Sequence, residues 1–401
     1  RQVFPNEGTR CASFPSDAVQ ELAPPGTLIW GQPLFDFMGN FLTGLDRPGI
    51  SSNNTDCIVM YGGGLTSYEA ARRSLERFGH DATEIWFADT RIEDEDLYRF
   101  NKDVEELLGK KLILFDQGLD IWGIFKRERF LGNSRIDPCS KFLKRLPLRK
   151  ALEARYPHLK CTFCNDIWER KQERITVLEL DNSEIKVPIC QTCVDDDERY
   201  KTNVLTLKKT IETKGNNCTK ARIQIRKLED RIEPCSNDGR FVRVVLGMDI
   251  IEDCDRLHRA RGYWRPFHNW FPLAEKPFVN KTTIIEQLQA IGVKEPRLYG
   301  AGFEHNNCGG FCVKAGMGQM VHLYETLPER YLYHEQKELE FQEFIGSDVT
   351  ILSQTKKGVR SNLSLRDLRL RVEAGEEFAF SPGLACACLN PATAAEDETG
   401  W

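Results

Sequence analysis

The sequence predicts an α/β protein built on a parallel sheet with helices on both faces. Three observations predict it. Apolar runs of strand length alternate with helical patterns from Asp56 to Arg155. The alternation resumes at Phe241, after a Cys-rich, charged insertion. A Gly-rich turn, Gly62-Gly63-Gly64, joins the first apolar run to the first helical pattern. Strands alternating with helices need crossover connections, and these place helices on both faces of a parallel sheet.

The elements follow in order. Cys57–Tyr61 reads as a buried strand and Ser67–Phe78 as the helix after it. Glu84–Ala88 is a second strand, Asp94–Leu108 a helix and Lys111–Phe115 a third strand. Asp120–Phe130 and Ser140–Arg155 have helical patterns. Phe241–Leu246 restarts the sheet, with helices expected from about Glu252 and over 280–291. Beyond Pro328 the pattern predicts a helix over Glu329–Phe344 and a strand over Asp348–Leu352. A short helix opens at Ser364, with Asp367 at the capping-box position. The boundaries that result are an N-terminal arm (1–55), a first sheet segment (56–157), an insertion (158–238), a second sheet segment (239–326) and a mainly helical C-terminal region with a polar tail (327–401).

Composition narrows the class. The chain has 401 residues, 41% apolar and 29% charged, which is enough to bury cores and excludes a mainly disordered chain. No apolar run approaches the ~20 residues of a membrane helix, so no membrane association is expected. The net charge of −5 excludes a uniformly basic nucleic-acid coat while leaving room for a local basic groove. There are fourteen cysteines, several at metal-ligand spacing, and no signal-peptide pattern at the start of the chain. A reducing cytoplasm is therefore the expected compartment.

Cys161-x-x-Cys164 and Cys190-x-x-Cys193, separated by 25 residues, have the spacing of two zinc knuckles. Such a pair brings four thiolates onto one tetrahedral Zn2+. The strand patterns between them, Ile175–Leu180 and Glu184–Pro188, suit a zinc ribbon. The metal would staple an insertion too small for its own core, or grip a nucleic-acid or protein partner.

The Gly-rich turn runs on through Leu65 to Thr66 and Ser67. Bare backbone N–H groups at a helix N-terminus favour anions. The run resembles the Ser-Gly-Gly-x-Asp-Ser loop of the PP-loop, or adenine nucleotide alpha hydrolase-like, superfamily. Gly62 stands at the first Ser and Thr66 at the Asp. Other segments are similar to the phosphoadenosine phosphosulfate reductase-like family within it. They are Phe87-Ala-Asp-Thr90, Pro138-Cys139 through Pro147-Leu148, Gly247 with Glu252 and Arg259, and Phe271-Pro-Leu273. Pro296-Arg-Leu-Tyr-Gly-Ala-Gly-Phe303, followed by Cys308 and Cys312, completes the order. The resemblance covers about 56–157 and 240–326.

It implies a Rossmann-like sheet and a site for ATP or a related adenine nucleotide. Gly62, Gly63, Gly64, Thr66 and Ser67 would cradle the phosphates. Asp89, Thr90 and Arg259 would complete the nucleotide contacts, and Asp249 would hold Mg2+ or orient substrate. Cleavage between the α- and β-phosphates would adenylate a substrate for sulfur transfer. The structural alternative for Asp249 and Glu252 is simple charge at a helix N-terminus. Cys139, Cys308 and Cys312 align with the cluster region of iron–sulfur adenylyl-sulfate reductases. They are candidates for a [4Fe–4S] cluster, and Cys139 and Cys312 for catalytic thiols; the alternative is buried structural thiols.

Between Lys126 and Lys160 there are eleven Lys/Arg against three Asp/Glu. Arg127, Arg129, Arg135, Lys144 and Arg145 could meet phosphates. Arg256, Arg259, Arg261 and Arg265 lie beside Tyr263, Trp264, Phe267 and Trp270, a mixture that can stack bases. Solvated helix faces and core aromatics are the plainer reading. Two other functions stay open at this stage. One is a true adenylyl-sulfate-type reductase, although the chain lacks the C-terminal Glu-Cys-Gly-Leu-His segment of those enzymes. The other is a non-catalytic nucleotide- and nucleic-acid-binding accessory protein.

Overall fold

The computed structural model describes residues 54–160, 167–169, 175–180, 183–188, 234–249, 253, 256–356 and 358–378, and short strands at 28–29 and 32–33. The latter two, β1 (Leu28–Ile29) and β2 (Gln32–Pro33), pair antiparallel. Among the described residues no helix is long and apolar enough to cross a membrane.

A mostly parallel sheet organises the first part of the chain. Its strands are β3 (Thr55–Tyr61), β4 (Thr83–Asp89), β5 (Leu112–Asp116), β6 (His158–Lys160) and β7 (Ile167–Glu169). After β8 (Ile175–Leu180) and β9 (Ser183–Pro188), which pair with each other, come β10 (Pro234–Cys235), β11 (Phe241–Leu246) and β12 (His268–Trp270). The order is β5-β4-β3-β11-β10-β6-β7, with β12 also paired to β11. The pairs β5–β4, β4–β3, β3–β11 and β11–β12 are parallel. The pairs involving β10, β6 and β7 are antiparallel. Strands inside the expected insertion thus extend the main sheet, and the sheet does not stop at residue 157.

The sheet sorts its side chains by the two-residue period of a strand. Cys57, Val59 and Tyr61 face α1 (Leu65–Ala82), α2 (Glu95–Leu108) and the later helix over Lys281–Ala290. Ile58 and Met60 face the opposite cluster. That second face is covered by Leu148 and Leu152 of Leu146–Arg155 and by Leu257, Ala260 and Trp264. Helices on both faces explain why all seven residues of β3 are buried.

Local signals set the helix ends. Gly79, at φ 81°, breaks α1 at the expected end near Phe78. The side chain of Asp94 caps α2 by accepting from Asp96 N–H, and Gly109 closes it at φ 59°. Asp120 caps α3 (Ile121–Glu128) in the same way. The expected single helix over Ser140–Arg155 is two pieces: a π-helical turn, Ser140–Arg145, leads into α4 (Leu146–Arg155), whose first turn holds Pro147. Proline has no N–H to donate, so the break falls where the α-helical ladder cannot continue backward. Further on lie α5 (Leu257–Tyr263), α6 (Lys281–Ala290) and the short α7 (Arg297–Gly300).

The C-terminal part has its own core. It packs α8 (Met317–Thr326), α9 (Pro328–Ile345) and α10 (Leu365–Glu373) with α3. The expected strand over Asp348–Leu352 is absent before Leu352, where a hairpin begins, β13 (Leu352–Lys356) with β14 (Val359–Leu363). Its turn residue Gly358 has φ 78°, which favours glycine. Ser364 caps the helix, its hydroxyl accepting from Asp367 N–H at 3.0 Å and donating to the Asp367 carboxylate at 2.7 Å, without the reciprocal backbone bond of a capping box.

Candidate functional site

The strand order reverses at β3. From there the chain moves outward to β4 and β5, then returns on the other side as β11. Open α/β sheets bind ligands at such a reversal, beyond the carboxyl ends of the strands. A cleft of about 110 Å³ lies there. It is smaller than the ~300–1,000 Å³ of typical small-molecule sites.

Two glycines make the cleft. Leu246 pairs with Met60, which brings Gly247 against the start of α1. A Cβ at Gly247 would lie 2.6 Å from Ser67 Cα and from Thr66 O. Gly63 has φ 77°, and a Cβ there would meet Leu97. The turn is held by its neighbours. Asn306 Nδ2 donates to Gly63 O at 3.0 Å, and Leu65 N–H donates to the Tyr299 hydroxyl at 3.3 Å. The Ser67 hydroxyl donates to Gly64 O at 2.8 Å and accepts from Gly64 N–H at 3.2 Å. Ser67 lines the cleft with its hydroxyl turned into its own turn, and the Gly64 and Leu65 N–H groups are both engaged by side-chain hydroxyls.

The cleft has an apolar wall and a polar rim. Met60, Ala88, Leu148, Leu246 and Met248 form the wall. Gly62, Gly64, Thr66 and Ser67 form one side of the rim. The cations Lys144, Arg256 and Lys281 line it with His305 and Asn307. The carboxylates of Asp249 and Asp253 also line it, and both are buried. Asp253 accepts from Asp249 N–H at 3.2 Å and pairs with Arg256. Asp249 thus offers a carboxylate to the cleft, whereas both Asp253 oxygens are engaged, Oδ2 by Asp249 N–H and Oδ1 by Arg256. Tyr61 also lines the cleft; burial pushes its hydroxyl well above the ordinary tyrosine range, so it stays neutral.

The structure brings Gly62, Gly64, Thr66, Ser67 and Asp249 together on the cleft. Gly63 stands behind it, packed on Leu97. Asp89 and Thr90 are not among the residues lining it. Asp89 accepts from Arg91 N–H at 2.7 Å and from the Tyr98 hydroxyl at 2.9 Å. Thr90 donates to Glu93 Oε1 at 2.9 Å. Arg259 is half-buried on α5, and Arg256, three residues earlier, lines the cleft instead. Glu252 lies outside the described residues.

Cys139 and Cys308 are buried in the C-terminal core, and Cys312 packs against it. Among the described residues no three His, Cys, Asp or Glu side chains are placed to hold one metal ion, these three cysteines included. Both buried cysteines are close to the cleft in sequence: Cys308 follows Asn307, and Cys139 caps the π-turn that supplies Lys144. The zinc candidates Cys161, Cys164, Cys190 and Cys193 lie outside the described residues. The hairpin between them, β8–β9, is present with Leu180 opposite Ser183.

The basic segment is dispersed and not one face. Lys144 and Arg145 are buried; Lys144 pairs with Glu93 at 3.2 Å and Arg145 with Asp137 at 3.3 Å. Arg127 lies over the Phe142 ring and Arg129 over Phe344. Trp264, Phe267 and Trp270 are core residues and not a stacking platform. The sequence reading missed Asp253, Tyr299 and Lys281 as cleft residues. The spacing of Asp249 to Asp253, one helical turn, was the available signal.

No family model matches the chain, and no curated protein matches it. Fold and site define the class: an α/β protein with a mostly parallel sheet and a mixed-charge cleft at its carboxyl edge.

Proposed function

We propose that the cleft binds ATP or a related adenine nucleotide with Mg2+, on a Rossmann-like PP-loop domain similar to the phosphoadenosine phosphosulfate reductase-like family. One observation carries the reading. The Gly-rich turn expected to cradle phosphates lines a cleft at the strand-order reversal, with Gly247 closed against it. The base and ribose lie on the apolar wall. The phosphates meet the N-terminal backbone of α1, where the helix dipole favours negative charge. Lys281, Arg256 and Lys144 neutralise them, and Asp249 would hold the Mg2+.

The chemistry is ATP cleavage between the α- and β-phosphates. The substrate oxygen attacks the α-phosphate, its bond to phosphorus forms, and pyrophosphate leaves with the electron pair of the broken bond. Bound Mg2+ supplies charge neutralisation of that leaving group. A sulfur nucleophile then displaces AMP from the activated substrate. Cys139 and Cys312 are the candidate thiols for this step, and Cys308, which follows the cleft residue Asn307, lies in the same core.

The test is calorimetric titration of the protein with ATP, GTP and adenylyl sulfate in Mg2+ buffer, followed by a pyrophosphate-release assay. Micromolar binding of ATP over GTP, lost in a Gly247→Ala variant, is the expected result. Binding of adenylyl sulfate alone, with thiol-dependent sulfite release, would select the reductase. ATP binding without pyrophosphate release across nucleic-acid acceptors would favour the accessory role. Absence of any nucleotide binding would overturn the reading. A zinc assay on the purified protein checks the expected Cys161, Cys164, Cys190 and Cys193 site.

A further inference from the structure

A second opening, wider than the cleft, lies between the β4–α2 loop, α7 and the start of α9. It holds about 860 Å³, within the ~300–1,000 Å³ of typical small-molecule sites. The reading above gives it no task. A buried carboxylate organises it. The Asp94 side chain is 0% exposed and gathers two arginines. Its Oδ1 lies 2.8 Å from Arg297 Nε, and its Oδ2 accepts from Arg297 Nη2 at 2.9 Å and from Arg330 Nη2 at 3.4 Å. Arg330 Nη1 donates to Ile92 O at 3.2 Å. The two guanidiniums thus meet on one oxygen, and one carboxylate balances two cations. Arg297 Nη1 and Arg330 Nε have no hydrogen-bond partner among the described residues. Gly309, at φ 59°, makes the room, since a Cβ there would overlap the Arg330 guanidinium. A further donor comes from His334, one helical turn after Arg330 on the same face of α9. Its Nδ1 accepts from Trp122 Nε1–H at 3.0 Å, and its ring stacks on Phe311. Burial, and then the Arg330 charge, hold it well below the ordinary histidine range, so the ring is neutral with its proton on Nε2. His334 is 1% exposed and lines the opening, and its Nε2 has no hydrogen-bond partner among the described residues.

We propose that this opening is a ligand site of its own, which takes the oxyanion group (phosphoryl or carboxylate) of a small molecule on Arg297, Arg330 and His334. The proposal goes beyond the nucleotide reading and does not rest on it. Guanidinium N–H groups match the paired oxygens of either anion, and charge-assisted bonds of this kind are the strong ones. Asp94 holds both guanidiniums before a ligand arrives, so little side-chain ordering is left to oppose binding. The rim selects for size. Glu95 and Glu329 line it and are exposed, and a long polyanion would run against them where a compact anion would not. Arg91 also lines it, but Asp116 takes its Nε and Nη2, and Gly118 O its Nη1. Glu93, the remaining carboxylate of the opening, accepts from Lys144 Nζ at 3.2 Å.

Calorimetric titration of the full chain with inorganic phosphate, acetate and single-stranded oligo-dT tests this, with melting temperatures alongside. The variants are Arg297→Gln, Glu329→Gln and Lys281→Ala. At least one of the two small anions should bind wild type, and Arg297→Gln should weaken that binding ~10-fold, the loss of one charge-assisted hydrogen bond. Glu329→Gln should strengthen it severalfold, because a like charge leaves the rim. Lys281→Ala, which alters only the nucleotide cleft, should leave it unchanged. Phosphate bound more tightly than acetate assigns a phosphoryl ligand, and the reverse a carboxylate; both support the site. If Arg297→Gln does not fold, the exposed Glu329→Gln change decides in its place. Wild-type affinity in a folded Arg297→Gln or in Glu329→Gln overturns the proposal. So does anion binding lost in Lys281→Ala, which would belong to the nucleotide cleft, or oligo-dT binding abolished by Arg297→Gln. A wild-type protein that binds neither anion overturns it as well. The nucleotide reading is judged separately, by ATP.

Discussion

A methyl group at Gly247 would press on the backbone of Ser67 and Thr66 and not on a flexible side-chain end. Backbone gives way poorly, so Gly247→Ala should destabilise the fold by about 1–3 kcal/mol and push β11 away from the loop. Thermal melting and ATP titration check this together: both should fall. Lys281 differs. Its Nζ donates to Glu304 O at 2.9 Å on the exposed rim, so little packing depends on it. Lys281→Ala should leave the melting temperature within about 1 °C of wild type, as for surface changes within ±0.5 kcal/mol. ATP affinity should drop about tenfold, the size of one charge-assisted hydrogen bond. The glycines of the loop were legible in the sequence because glycine at a strand-to-helix turn has few other uses. Arg256 in place of Arg259, and the inward Ser67 hydroxyl, were not legible. They depend on how α5 and the turn rotate against β11.

At the scale of elements, helices and strands followed local pattern well, and the misses have local causes. Pro147 divides the expected helix, and the strand expected over Asp348–Leu352 begins only at Leu352, in a hairpin closed at Gly358. The contacts between elements are set by buried charges that no periodicity announces. Glu69 on α1 binds Arg72 and Arg73, and Arg73 reaches Pro272 O at 2.8 Å and Pro277 O at 2.7 Å. Burial would raise Glu69, but hydrogen bonds from these two arginines hold it below its ordinary value. In the C-terminal core, Glu338 of α9 accepts from Ile351 N–H at 2.9 Å and from Leu365 N–H at 2.7 Å. It thereby anchors the hairpin entry and the start of α10. Burial pushes its carboxyl up to about 7 against hydrogen bonds that lower it. A raised carboxyl favours the folded state in its protonated form. Its contribution is full below the ordinary value of 4.5 and is lost as pH rises through about 7. Chemical denaturation should therefore show wild type gaining on Glu338→Gln at pH 5 relative to pH 8. Glu338→Ala strands two buried N–H groups and should cost about 2–4 kcal/mol at pH 5, and less at pH 8 by the same linkage.

At the scale of the molecule, one sheet separates two apolar cores and a third lies under α8 and α9. The sheet keeps one parallel strand at its edge. There β5 exposes Ile113 at 41% and Leu114 at 59%. An apolar edge strand is a template for unwanted pairing. Leu114→Lys should reduce concentration-dependent scattering and leave the melting temperature nearly unchanged. Unaltered scattering would show that this edge does not mediate association.

Alternation of strand and helix, the caps and the glycine turn were readable locally because each is a matter of neighbours within a few residues. That was enough for an α/β chain with a parallel sheet and for the loop that lines the cleft. The strand order, the burial of Lys144 and Arg145, and the extension of the sheet by β10, β6 and β7 needed tertiary structure. Each depends on partners far apart in the chain: Glu93 meets Cys308 across 215 positions, and Gly63 meets Asn306 across 243. A charge run reads the same whether its ends face water or a buried counter-ion, and only packing decides which.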